Sequence, residues 1–195
     1  MLRLRRAQLE AQLSADAARL TGIEARLRTI ETEGYMSTED VVLKEVPAIR
    51  VAELSAVAAS YEPPSITPVL TPLYPQLFER MRAKGVGVAG PAIAWYEPES
   101  GEAVTVHAGV QVTAGPHQDQ DFAIVELPPI AAAATLIHRG SMDEVERSMA
   151  VLAKWIEDNG YRTDGYAREV YLDYHPERAD EGVTELQLAV TRPQG

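Results

Sequence analysis

The sequence predicts an α+β domain made of two copies of a β-α-β-β unit. The copies pair into one antiparallel sheet with two helices on one face, and a long N-terminal coiled-coil helix precedes them. Three observations carry this expectation. Hydrophobic periodicity switches from helical to strand spacing near residue 40. Gly and Pro clusters divide the rest into a strand–helix–strand–strand series that occurs twice. Short motifs also recur at matching places in the two series.

Residues 2–31 contain no Pro and a single glycine, Gly22. With Leu13, Leu20 and Leu27 at heptad position a, Leu2, Leu9, Ile23 and Ile30 fall at d, while Arg6 and Asp16 interrupt the seam. A narrow apolar stripe flanked by Arg, Glu and Gln predicts a dimerisation helix over residues 1–33; an amphipathic helix folded onto its own domain is the alternative. Gly34 ends it, residues 34–40 form a polar linker, and the globular domain spans 41–192.

Val41–Ala59 reads as strand, broken at Pro47. Pro63, Pro64, Pro68, Pro72 and Pro75 predict a loop leading into a helix over Leu73–Lys84, whose Leu73, Leu77 and Met81 recur at helical spacing and which Gly85, Gly87 and Gly90 stop. Strands follow at Ala92–Tyr96 and Ala103–Val112, joined by a turn over Glu97–Gly101. The second series has a strand over Phe122–His138 and a helix over Ser141–Asn159. Ser141 and Glu144 suggest a capping box at its start, and Gly160 closes it. Strands at Ala167–Tyr174 and Val183–Val190 complete it. Glu45-Val-Pro-Ala-Ile49 matches Glu126-Leu-Pro-Pro-Ile130, and the series from Gly90 to Tyr96 matches Gly165 to Tyr171 with Gly, Ala and Tyr at the same offsets. Such a duplication leaves one sheet face, or the seam between the copies, free to bind a ligand.

Composition narrows the function. The net charge is −11; residues 1–33 carry six Arg against five acidic residues, so the remainder is the acidic part. An acidic body repels phosphate backbones and favours cationic ligands. With no cysteine there is neither a disulfide nor a thiolate metal site, and the four histidines lack paired ligand spacing. His117 falls in a polar stretch that reads as an exposed turn, and His138 reads as a capping or core residue. No nucleophile elbow, phosphate loop or dinucleotide fingerprint occurs, so no cofactor and no metal are expected. Apolar runs are too short for a membrane span, and the N-terminal arginines are not followed by an apolar stretch, so no signal peptide is expected; a cytoplasmic location is the expectation.

Glu169 is the main candidate site residue. Strand alternation places Ala167, Glu169 and Tyr171 on one face and Arg168 and Val170 on the other, and the matching position in the first copy is Ala94. A carboxylate among aromatic side chains can attract a cation through reduced dielectric and cation–π contact. A solvated sheet face, or a salt bridge to Arg162 or Arg168, is the plain alternative. Tyr96 and Tyr171 fall at equivalent places, and Trp95, Tyr61 and Tyr166 are further candidates for pocket walls.

The ordered set Glu45-Val-Pro-Ala-Ile-Arg-Val51, Leu77-Phe-Glu-Arg-Met81, Gly90-Pro-Ala-Ile-Ala-Trp-Tyr96, Val125-Glu-Leu-Pro-Pro-Ile130, Leu152-Ala-Lys-Trp-Ile-Glu-Asp-Asn-Gly-Tyr161 and Ala167-Arg-Glu-Val-Tyr-Leu172 resembles the GyrI-like effector-binding domain. The leading residues resemble the end of the dimerisation helix of MerR-family transcription regulators. The resemblance implies a ligand pocket between the repeats, holding a lipophilic cation among aromatics with Glu169 as the acidic residue, in a homodimer. DNA would be contacted through a winged-helix domain that this sequence lacks. It also leaves open a hydrolase using Glu169 as general base beside Trp95 or a Tyr, and a module that binds another protein.

Overall fold

The computed structural model describes residues 40–115, 117, 118 and 121–193. The predicted coiled-coil helix lies outside them. In chain order the elements are β1 (Val42–Val46), β2 (Ile49–Ala58), α1 (Pro63–Leu70), α2 (Leu73–Ala83), β3 (Val88–Pro98), β4 (Val104–Val112), β5 (His117–Gln118), β6 (Ala123–Leu127), β7 (Ile130–Arg139), α3 (Val145–Asp158), β8 (Arg162–Asp173) and β9 (Val183–Thr191). The strands form one sheet in the order β1-β7-β9-β8-β3-β4-β2-β6-β5, and each neighbouring pair is antiparallel.

Proline sets the first feature of this topology. Pro47 separates β1 from β2, and Pro128 with Pro129 separates β6 from β7. A proline cannot donate to the ladder, so each long strand breaks there. The leading segments are exchanged: β1 pairs with β7 of the second copy, and β6 pairs with β2 of the first. The equivalent pairs Val46↔Ile130 and Ile49↔Leu127 keep matching register. At the centre β3 meets β8, with Ala94 opposite Glu169. Because the repeat equates those two positions, the pseudo-twofold axis passes between them.

Both helical layers lie on one face. Leu77 and Met81 of α2 pack on Ala52, Val110 and Ile124, while Leu152 and Ile156 of α3 pack on Leu136, Leu186 and Val190. Both helices end the same way. Gly85 and Gly160 take φ of 69° and 70°, and the amides that follow, of Val86 and Tyr161, donate to Met81 O and Ile156 O at 2.9 Å each. That closure requires a left-handed residue, which glycine supplies without a Cβ clash.

Four sequence expectations change. The strand read as continuous over Phe122–His138 is two, β6 and β7, parted at Pro128 and Pro129. The proline-rich stretch read as a loop contains α1. Pro63 and Pro64 occupy its first positions, where amide donors have no partner anyway, and Pro68 forfeits one internal hydrogen bond. Ser141 and Glu144 do not form a reciprocal capping box: Ser141 Oγ accepts from Asp143 N at 3.3 Å, capping a 3-10 turn over Met142–Glu144 that leads into α3. His117 belongs to the short strand β5, opposite Ile124, and not to an open turn. His138 is a buried core residue, bonded through Nδ1 to Ser148 Oγ at 2.7 Å and through Nε2 to Ser141 O at 3.0 Å. Among the described residues no helix is long and apolar enough to cross a membrane.

Candidate ligand cavity

Where the helices part above the β3–β8 seam, they leave a cavity of about 1120 Å³. That exceeds the roughly 300–1,000 Å³ common for small-molecule sites. Its floor is Ala92, Tyr96, Ala167, Glu169 and Tyr171; α1 and α2 form one wall, and the 3-10 turn with the start of α3 forms the other. The alternation that points Glu169 and Tyr171 inward turns Arg168 and Val170 away, as strand geometry requires.

Glu169 is half-buried, surrounded by protein and open to the cavity. Tyr171 donates its hydroxyl to Glu169 Oε2 at 2.8 Å. Burial pushes the Glu169 carboxyl above its ordinary range, against hydrogen bonds from Tyr171 and Tyr96 that pull it down. The same burial, with the negative charge of Glu169, raises the phenols of Tyr74, Tyr96 and Tyr171 well above 10, so all three stay protonated. Among the described residues Glu169 has no cationic partner; neither Arg162 nor Arg168 pairs with it.

An aromatic box surrounds the carboxylate. Tyr74 meets Tyr171 edge-on at 5.8 Å between centroids, Tyr61 meets Tyr96 at 6.5 Å, and Tyr174 lies 5.9 Å from Tyr171. Tyr74 is fixed by donating its hydroxyl to Ile93 O at 3.1 Å. Tyr61, Phe78 and Tyr174 are exposed at the rim. The rim carries three more carboxylates, Glu62, Asp143 and Glu146. Thr67 of α1 donates to Asp143 Oδ1 at 3.3 Å, tying the two walls together.

The structure brings Glu169, Tyr171, Tyr96 and Tyr61 to this cavity, but not Trp95. The Trp95 indole lies on the opposite face, stacked on the His107 ring at 4.6 Å and pressed over Gly109, where a Cβ would come within 2.7 Å of it. Tyr166 also lies on that far side, under the Arg168 guanidinium. Strand alternation already separates Trp95 from Tyr96, so its placement was decidable from the sequence. Tyr74, Phe78 and Tyr174 were missed because their contribution depends on how α2 and the end of β8 dock. Asp143, in the 3-10 turn before α3, also lines the cavity.

Comparison with known proteins agrees with this architecture. The family model of the GyrI-like small molecule binding domain matches residues 39–191, and the chain belongs to that family. The crystal structure of the EcmrR C-terminal domain is 25% identical with a TM-score of 0.64, covering 78% of this chain and 98% of that one. The cryo-EM structure of the EcmrR–DNA complex in EcmrR-RPo is 24% identical with a TM-score of 0.65, over 98% of this chain and 72% of that one. Two more distant structures share the fold. A hydrolase encoded by lin2189 from Listeria innocua is 13% identical (TM-score 0.55, 84% of this chain and 98% of that). SAV2435 bound to tetraphenylphosphonium is 10% identical (TM-score 0.53, 77% and 93%). No curated protein matches the sequence.

Proposed function

We propose that the chain is the ligand-sensing part of a MerR-family transcription regulator, and that its cavity takes a lipophilic cation. The observation that carries this reading is the charge of the cavity wall. Its carboxylates Glu62, Asp143, Glu146 and Glu169 meet no basic side chain among the described residues, because Arg168 turns its guanidinium to the far face. A cation entering this box gains Coulomb attraction in a partly desolvated site, and each good aromatic contact adds about 0.5–2 kcal/mol. Protonated phenols donating to Glu169 satisfy the carboxylate without neutralising it, which suits a cation that is bulky and delocalised.

Relatives supply support of a weaker kind. SAV2435 carries tetraphenylphosphonium, a lipophilic cation, on the same fold. EcmrR is seen bound to DNA, and the likeness to that complex extends over 98% of this chain, against 78% for the C-terminal domain alone. On this reading residues 1–33 are an arm that pairs two subunits, 34–40 a linker and 41–192 the sensor. Ligand occupancy would act through differential affinity for two arrangements of such a dimer.

Calorimetric titration with tetraphenylphosphonium, a planar cationic dye and a neutral compound of similar size tests the reading. Saturable binding of the cations, with the neutral compound much weaker, is expected. Equal binding of all three would sink the cation assignment. The second reading, a hydrolase, rests on Glu169 itself: a buried carboxyl raised in pKa beside phenols also suits a general base. Steady turnover of a small strained electrophile, lost in Glu169→Gln, would favour it.

A further inference from the structure

Directly beneath the cavity floor the sheet holds a second buried charge. Arg168 is fully buried, on the face opposite its neighbour Glu169. Its Nε donates to the Tyr166 hydroxyl at 2.9 Å, its Nη2 donates to the Pro128 carbonyl in the link between β6 and β7, and the guanidinium lies 5.1 Å from the Tyr166 ring centroid. Nη1 has no partner, and neither does Oε1 of Gln187, the residue paired with Arg168 on β9. Among the described residues no carboxylate ion-pairs with Arg168: Glu185 is bound to Lys44 at 2.5 Å and Glu53 to His107 at 2.9 Å. A buried guanidinium without a counter-ion is costly. Glu169, one residue away, is a desolvated carboxylate without a cation.

We propose that Arg168 is the counter-charge of Glu169, acting through a single layer of sheet: a positioning residue that never meets the ligand but keeps the carboxylate on the cavity floor ionised. Side chains of adjacent strand residues leave on opposite faces, so the two charged groups stand on the order of 10 Å apart. At an effective dielectric near 20 that separation is worth about one pH unit in the carboxyl's titration midpoint. The other groups facing Glu169 act differently. Tyr171 on its own strand, Tyr96 on β3 and Tyr74 on α2 are neutral phenols, and Glu62, Asp143 and Glu146 at the rim are like charges. The cation reading gives this arrangement its use, but the electrostatics holds in the empty cavity.

The test follows the Glu169 carboxyl by NMR in the full ligand-free chain labelled with 13C-glutamate, with Glu169→Gln assigning the resonance. Arg168→Met removes the charge and keeps the apolar stem, whereas Arg168→Lys keeps the charge and loses the planar fork. The Glu169 midpoint is expected to rise by about one pH unit in Arg168→Met and to stay close to wild type in Arg168→Lys, although neither variant keeps the planar fork that holds Tyr166 and Pro128 together. An unchanged midpoint in Arg168→Met, or equal movement in both, would make Arg168 a mere pin for the β6–β7 link. If Arg168→Met fails to fold, Gln187→Glu offers the guanidinium a carboxylate in place; the midpoint should again rise, and no movement overturns the proposal. Because no ligand is present, failure of the cation reading would show separately, as absent binding beside an intact Arg168 effect.

Discussion

The two repeats are alike where they support the sheet and unlike where they meet the ligand cavity. Each supplies a helix ended by a glycine with φ near 70° and a pair of buried apolar residues, Leu77 with Met81 and Leu152 with Ile156. At the pseudo-twofold axis the likeness ends: the first copy presents Ala94 and the second Glu169. The walls differ as well, since the first copy builds two helices, α1 and α2, where the second has a 3-10 turn before α3. Duplication provides the seam, and divergence at one strand position and one wall provides its chemistry. A carboxylate from both copies would place two like charges opposite each other with little solvent, which is strongly unfavourable.

The largest effects should fall on what the repeats share. Leu77→Ala and Leu152→Ala remove fully buried side chains from equivalent positions, so each should cost about 2–5 kcal/mol in denaturant unfolding. A loss below about 1 kcal/mol at one site alone would mean that the two layers do not bear equal weight.

Next come the residues that distinguish the copies. The folded-state carboxyl of Glu169 lies above its unfolded value because burial penalises the charge. Stability is therefore lost as pH rises from the unfolded value through the folded one. Glu169→Gln should raise the melting temperature of the ligand-free protein at neutral pH, and the gain should shrink in acid. A melting temperature that falls at neutral pH would contradict the sign. Tyr171→Phe should cost about 0.5–1.5 kcal/mol of stability, the usual worth of one hydrogen bond, and raise the Glu169 midpoint. Tyr96→Phe should move that midpoint in the same direction. A downward movement from either variant would show that the phenol does not donate to the carboxylate.

Smallest should be Thr67→Val, which removes the exposed tie between α1 and Asp143. Thermal unfolding should change by no more than about 1 kcal/mol, the scale of one solvent-exposed hydrogen bond. A larger loss would mean that the extra helix of the first repeat depends on that single contact.

Much of this comparison was legible in the sequence. Pro47 placed the first strand break, and Gly85 and Gly160 placed both helix ends, because proline and glycine act locally; the matching break at Pro128 and Pro129 was read through as one strand. The offset also equated Ala94 with Glu169, and simple alternation set Glu169 beside Tyr171; the axis between them follows only from the pairing of β3 with β8. Other features depended on tertiary contact. The exchange of β1 and β6 cannot be read from strand patterns that fit either neighbour. Helix α1 was hidden by its prolines, whose fixed φ suits a first helical turn as well as a loop. Tyr74 and Phe78 sit on a helix whose orientation over the sheet decides which wall they join. Trp95 was assigned to the cavity by residue type, against the alternation that turns it to the far face.

The most direct test of the central claim is the affinity for tetraphenylphosphonium, measured by calorimetry on wild type and Glu169→Gln across pH. If an ionised Glu169 recognises the ligand, wild-type binding weakens as acid protonates the carboxyl, and Glu169→Gln binds about 1–3 kcal/mol more weakly at neutral pH with little pH dependence. Equal affinity of the two proteins at neutral pH would contradict the account and leave the cavity to a neutral ligand.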